Sequence, residues 1–181
     1  MNKVEPIRDK GKIEEMKTEL LKSSLRNYMI FVVGINTGLR ISDILKLKVE
    51  DVKDKTHIEI KEGKTNKTKK FYINSELKKE LDKYIKNMAD YEYLFQSRNG
   101  INKPLSRSQT YRILNEAGEE VGLESIGCHS TRKTFGYHHY QQHRDMVLLQ
   151  ELFNHSAPSI TLDYIGVNQD VMDNSLKEFY L

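Results

Sequence analysis

Three segments of the chain carry residue types that can act on a phosphodiester. TGLRISDIL places Arg40 just after Gly38, a glycine that ends a helix pattern. CHSTRKTF sets His129 three positions before Arg132, and LFNHSAPSITLDYIG sets His155 nine positions before Tyr164. Attack on a phosphodiester builds negative charge on the two non-bridging oxygens of a five-coordinate transition state. A guanidinium meets two oxygens at once through its fork of donors and stays charged at any working pH. Arg40 and Arg132 together would therefore supply what magnesium supplies in other phosphoryl enzymes. A histidine adds a hydrogen bond or moves a proton near neutrality. A tyrosine hydroxyl is a nucleophile once its proton, with an ordinary pKa of about 10, is removed. A lysine of depressed pKa protonates the departing 5′ oxygen. Each residue taken alone also has a plain structural use. Arg40 can pair with Asp43, His129 and Arg132 can cap a helix, and Tyr164 can be core.

The elements that must position these groups are mostly helical. A polar-faced helix is expected over about Asp9 to Lys22, with Ile13, Met16, Leu20 and Leu21 inward. A second runs from about Ser24 to Thr37, is apolar on most faces and stops at Gly38. Ser42 is expected to cap a short third helix carrying Ile44, Leu45 and Leu47. The period then changes: HIEIKEG alternates, with Ile58 and Ile60 on one face, and KKFYIN reads as its hairpin partner, with room for a third short strand before them. Asn74 or Ser75 opens a helix with Leu77, Leu81, Tyr84, Ile85 and Met88 at helical spacing. Ser106 or Ser108 opens the next, with Tyr111, Leu114, Ala117 and Val121 inward and Arg107, Gln109 and Arg112 on its outer side. Helices over STRKTFGYHHYQQ and MVLLQELF follow, and Pro158 breaks the chain before SITLDYIG. The tail after Gly166 reads as a last amphipathic helix. The fold class is mixed α+β, mainly helical with one small antiparallel sheet, and not a doubly wound sheet.

Composition narrows the function classes. A length of 181 residues suits one domain with a real core, and 38% hydrophobic with 30% charged residues suits a globular protein. The first residues carry acids and no apolar run, so they do not read as a signal peptide, and no stretch is long enough to cross a bilayer. The single cysteine, Cys128, excludes an internal disulfide and a cysteine-based zinc site. A reducing cytoplasm is the simplest location. NKT at 66–68 and NHS at 154–156 match the glycosylation pattern by chance. There is no G-x-x-x-x-G-K-[ST] loop, no HExxH and no GxSxG. His139 and His143 have zinc spacing, but a third ligand is lacking, so His138, His139 and His143 read as exposed residues of a polar helix face. Neither a metal nor another cofactor is implied. The net charge of +3 is mild, yet KEGKTNKTKK (61–70) holds five lysines and one acid. That stripe suits phosphates or, more plainly, a solvated edge strand.

Taken together, the motifs resemble the tyrosine site-specific recombinases, the phage and transposon integrase family. The family pattern is Arg, a hairpin Lys, HxxR, His or Trp, then Tyr. Here that order reads Arg40, Lys64, His129 with Arg132, His155 and Tyr164. GLRISDIL is similar to the first arginine motif, with Asp43 at its acidic position. HSTRKTF resembles the HxxR motif, with Lys133 where a histidine is frequent. QELFNHSAPSITLDYIG resembles the final motif, with Asn154 in place of a common glycine. The likeness covers about Ser24 to the C-terminus.

The resemblance implies roles. Arg40 and Arg132 clamp the scissile phosphate, His155 donates to it, His129 assists proton transfer from Tyr164, and Lys64 is general acid on the 5′ hydroxyl. Lys67, Lys69 and Lys70 are neighbours of Lys64, and hairpin register decides which lysine points inward. Tyr164 becomes linked to the DNA 3′ phosphate, so rejoining needs neither ATP nor metal. The expected function is cleavage and rejoining of DNA in integration or excision. The partner is double-stranded DNA, contacted also by Lys67, Lys69, Lys70, Arg107 and Arg112. A homotetramer on DNA is implied, with a monomer as the DNA-free state; no membrane is involved, and no residue pattern names an accessory factor. The expected organisation is one catalytic domain over 1–181 without the family's N-terminal core-binding domain. Its tail helix, 167–181, docks on a neighbour or folds back on its own core. The alternatives are a type IB topoisomerase-like strand passage and a catalytically silent DNA-binding module.

Overall fold

A computed structural model describes residues 4–61, 68–168 and 176–177. Helix α1 (Lys10–Ser23) starts at Asp9, whose side chain accepts from the amides of Gly11 and Lys12. Helix α2 (Leu25–Thr37) starts at Ser24 and stops at Gly38, which adopts φ +65°. Such a cap satisfies end groups the helix leaves open. The short α3 (Ile41–Ile44) begins after Arg40. Ser42 therefore lies within the helix and is not its cap. Next come strands β1 (His57–Lys61) and β2 (Thr68–Tyr72), then α4 (Ser75–Ile85), capped by Asn74. Helix α5 (Arg107–Glu120) opens with a reciprocal cap between Ser106 and Gln109. Helices α6 (Ser130–His143), α7 (Met146–Phe153) and α8 (Pro158–Ile165) complete the described order. Pro158 occupies the first turn of α8, where a missing N–H costs nothing. It begins that helix instead of merely interrupting the chain.

β1 and β2 pair antiparallel, with Ile58 opposite Phe71 and Ile60 opposite Lys69. Among the described residues the sheet has two strands, and the expected third is only an isolated bridge between Lys48 and Tyr93. Alternation puts Ile58, Ile60, Lys69 and Phe71 on one face. Lys70 points to the other, where its Nζ lies 2.9 Å from Glu59 Oε1. Lys64 and Lys67 lie outside the described residues, as does most of the tail helix expected over 167–181.

The main core joins Met16 and Leu20 of α1, Met29 to Val33 of α2, Leu77 and Leu81 of α4, and Ile58 of the hairpin. Leu21, expected inward, is 50% exposed, and Tyr111 is 49% exposed. Both are neighbours of the true apolar stripe, which is narrower than their spacing suggested. A second, smaller cluster holds Leu149, Phe153, Ile165 and Val167, with Phe135, Tyr137 and Tyr140 of α6 packed on it.

Helix α6 lies between the two clusters at very short range. A Cβ on Gly34 of α2 would sit 2.7 Å from Thr131 Cβ, and one on Gly136 would sit 2.7 Å from Ile165 Cγ2 and 2.8 Å from Phe153. Only glycine permits either approach. The segment before α1 also packs on α6: the Ile7 amide donates to Thr134 Oγ1 at 2.9 Å, and His138 Nε2 lies 3.0 Å from the Ile7 carbonyl. His138 and His139 are half-buried, not exposed as the polar pattern implied. Among the described residues no group of three potential ligands could hold a metal ion. No described helix is long and apolar enough to cross a membrane.

Candidate active site

Arg132 is the most constrained member of the site. It is 4% exposed, on the first turn of α6. Its Nη1 donates to the Gly38 carbonyl, 2.6 Å, and its Nη2 to the Phe153 carbonyl, 2.9 Å. Its guanidinium also lies 4.1 Å from the Phe153 ring centroid, a cation–π contact. Burial pulls its pKa down to about 10, so it remains charged near neutrality. Carbonyls carry no full charge, so the positive charge is held in place and not cancelled.

Arg40 stands at the start of α3, exposed, in the loop whose first carbonyl, that of Gly38, holds Arg132. Arg40, Asp43, Arg132, Lys69, Phe153 and Asn154 line one pocket. Lys69 Nζ also donates to the Glu151 carbonyl at 2.7 Å, near the end of α7. The inner face of the hairpin is thus tied to the turn that bears His155.

That turn depends on Asn154, which ends α7 in the left-handed conformation, φ +55°. Asparagine tolerates this region better than most residues, so it can stand in for a glycine. His155 Nδ1 lies 3.0 Å from Thr161 Oγ1, and Thr161 is fully buried. Burial, then the charges of Arg132 and Arg40, lower the His155 pKa and keep its ring neutral at pH 7.

Tyr164, on α8, is surrounded by these groups. Its ring centroid is 5.2 Å from that of His155 and 5.7 Å from that of Phe153. Its hydroxyl lies 3.3 Å from His129 Nδ1. Burial raises the phenol pKa, while Arg132 and Arg40 pull it the other way. The dominant desolvation keeps the resting hydroxyl protonated. His129 takes the position before α6 but makes no side-chain capping bond. Its pKa is lowered, first by burial and then by Arg107, Lys133, Arg132 and Arg40.

Arg40, His129, Arg132, His155 and Tyr164 therefore come together although they lie on three separate stretches of chain. Such a site can bind one anionic group between two guanidiniums and present a phenolic oxygen beside it. Of the expected DNA contacts, Lys69 faces the pocket and Lys70 faces away. Arg112 is exposed on α5, and Arg107 reaches His129 Nε2 at 3.4 Å. Two features were not anticipated. Lys133 is 5% exposed, with Nζ 5.2 Å from the centre of the Tyr164 ring. Thr161 orients His155. The unusual lysine after HxxR was a visible signal for the first, whereas no spacing rule marks the second.

Residues 9–170 match the phage integrase family. The chain is 50% identical over 179 residues to the probable integrase/recombinase YoeC of Bacillus subtilis (strain 168), covering 99% of this chain and 98% of that protein. It is 32% identical over 149 residues to tyrosine recombinase XerA of Pyrococcus furiosus, covering 81% of this chain but 52% of the relative. The chain thus spans about half the length of that longer relative. A crystal structure of XerA recombinase superposes with a TM-score of 0.75 at 22% identity, over 97% of this chain and 67% of that one. That likeness establishes the shared fold, mainly helical with one small antiparallel sheet. With the family match covering the arginine, HxxR and tyrosine segments alike, the chain belongs to the phage integrase family, that of the tyrosine site-specific recombinases.

Proposed function

We propose that this protein is a site-specific DNA recombinase, acting in integration or excision, whose Tyr164 breaks and rejoins DNA strands through a 3′-phosphotyrosyl bond. The observation that carries the reading is the meeting of Arg40, Arg132 and His155 around the Tyr164 side chain. Arg132, held by two carbonyls, and the exposed Arg40 grip the two non-bridging oxygens of the scissile phosphate. His155, with Nδ1 turned to Thr161, keeps Nε2 for the same phosphate. Tyr164 Oη attacks phosphorus, the bond to the 5′ oxygen breaks, and a lysine of the hairpin protonates that oxygen. Lys64 is the residue proposed for this step, and it lies outside the described residues. His129, with Nδ1 3.3 Å from the phenol, assists transfer of the Tyr164 proton away as the oxygen attacks. The phosphotyrosyl bond conserves the energy of the broken link, so the reverse attack reseals the strand without ATP or a metal ion.

The partner is double-stranded DNA, gripped through Lys69, Lys70, Arg107 and Arg112, with Lys67 also in the basic segment. Recombination between two duplexes requires several protomers, and a tetramer on DNA fits that need. Contacts made chiefly to phosphates weaken steeply as salt rises.

The test is a library of nicked duplexes with randomised cores, incubated with protein and then with denaturant. Wild type should retain DNA covalently at a restricted set of sequences, and Tyr164→Phe should retain none. Retention at every sequence would favour topoisomerase-like relaxation. DNA binding without any adduct would leave only a binding module.

A further inference from the structure

His129 has a polar neighbour on each ring nitrogen. Nδ1 lies 3.3 Å from Tyr164 Oη, and Nε2 lies 3.4 Å from Arg107 Nη2. Arg107 is the first residue of α5, and its carbonyl accepts from Cys128 Sγ at 3.6 Å, next to His129 in sequence. The start of α5 is therefore joined to the 128–129 turn through backbone and side chain alike.

A guanidinium has five donors and no acceptor. Its approach to Nε2 is favourable only if that nitrogen carries no proton. In a neutral imidazole the proton then sits on Nδ1, which faces the phenol. We propose that Arg107 is a positioning residue that holds His129 in its Nδ1–H tautomer, so that His129 donates a hydrogen bond to the Tyr164 oxygen instead of accepting its proton.

The other protonation states fit the surroundings less well. The doubly protonated ring would aim an N–H at a cation. The charged groups acting on His129 are Arg107 from α5, Lys133 and Arg132 from α6, and Arg40 from the loop before α3, all positive. Tyr164, from α8, is neutral at rest. The neutral ring follows, and Arg107 selects which neutral ring.

This rests on the recombinase reading and changes its first step. The Tyr164 proton leaves to water, the Oη electron pair forms the bond to phosphorus, and the bond to the 5′ oxygen breaks. Throughout, the His129 proton stays on Nδ1 and steadies negative charge on the phenolic oxygen. The same hydrogen bond makes Tyr164 a better leaving group when the strand is resealed.

The tautomer can be read by nitrogen NMR of free protein labelled at histidine, with His129 identified by its loss in His129→Gln. Wild type should show a protonated Nδ1 and a bare Nε2. Arg107→Met, which removes the donor from an exposed site, should shift His129 toward the Nε2–H form. Arg107→Lys should restore part of the wild-type pattern. With a duplex that forms the adduct, single-turnover cleavage at saturating DNA should fall about tenfold in Arg107→Met. Its pH profile should move up by about one unit, because each unit of phenol pKa is tenfold in phenolate.

A bare Nδ1 or an imidazolium in wild type at neutral pH overturns the proposal. So does a tautomer unchanged in Arg107→Met. Slowing that vanishes at saturating DNA also overturns it, since Arg107 would then be only a phosphate contact. Absence of any adduct in wild type would sink the recombinase reading instead, and the tautomer would still be decided in the free protein.

Discussion

The two clusters hold different parts of the site. The large core, centred on α2, fixes Arg40 and the hairpin. The small one, built on Leu149, Phe153, Ile165 and Val167, carries His155 and Tyr164. The groups proposed to grip the phosphate thus rest on the better-buried body, while the proposed nucleophile, Tyr164, rides on a unit with few buried apolar residues of its own. Local opening follows burial, so α7 and α8 should open at lower free energy than α2. Arg132 bridges the difference. It belongs to α6, holds the Gly38 carbonyl of the large body and holds the Phe153 carbonyl of the small one. An arginine proposed for catalysis is in this way also a fastener.

The largest expected effect comes from cutting that fastener. Arg132→Ala leaves two buried carbonyls without donors and should cost ~2–4 kcal/mol of stability, alongside a loss of at least ~10³ in adduct formation. Arg40→Lys is the contrasting case. Its exposed side chain should change stability by no more than ~0.5 kcal/mol and leave DNA binding near normal, yet cut cleavage by ~10²–10³, since an ammonium cannot span two oxygens. Thermal unfolding and a denaturant-resistant adduct assay separate the pair. Equal destabilisation by both would mean that Arg132 is no fastener.

An effect on stability alone, with the site's polar groups intact, tests the two bodies directly. Leu149→Ala and Leu81→Ala each remove a fully buried leucine, one from each cluster, and each should cost ~2–5 kcal/mol. Hydrogen exchange should show loss confined to α7 and α8 for Leu149→Ala, with α2 and α4 still protected. Leu81→Ala should lower protection throughout. Uniform loss in both would merge the clusters into one cooperative unit.

Acid should produce the mildest change. The pKa values of His129, His139 and His155 are all lowered, in each case first by burial. Above the unfolded value of about 6.5 the neutral rings cost nothing. As pH falls below it, the unfolded chain takes up protons that the native state refuses, and stability drops until the folded pKa values are passed. For His139, His143 opposes protonation and Asp145 favours it; for His155, Arg132 and Arg40 oppose it. Denaturant midpoints at pH 7.5 and 5.5 should therefore decline together with exchange protection in α7 and α8. Greater stability at the lower pH would break the argument.

Much of this was legible in the residues. Ser24, Asn74, Ser106 and Gly38 act as the helix punctuation that their types suggest. The motifs bring Arg40, His129, Arg132, His155 and Tyr164 to one place. Alternation in the hairpin put Ile58 and Ile60 on one face, but only the observed register separated Lys69 from Lys70. Burial was harder to read. Leu21 and Tyr111 sit at apolar spacing beside stripes that stop short of them, because the partner surface decides where a stripe ends. Contacts such as Arg132 with the Gly38 carbonyl leave no trace in side-chain pattern, since a backbone acceptor is the same in every residue.

Asn154 carries a further consequence. Because the peptide before His155 winds with left-handed sense, sequence drift at this position is filtered by chirality more than by size or polarity. Glycine and asparagine pass the filter cheaply, whereas a branched residue would have to unwind the turn and swing the imidazole off target. Tolerance at position 154 would thus follow a short alphabet even though its own side chain need never touch DNA.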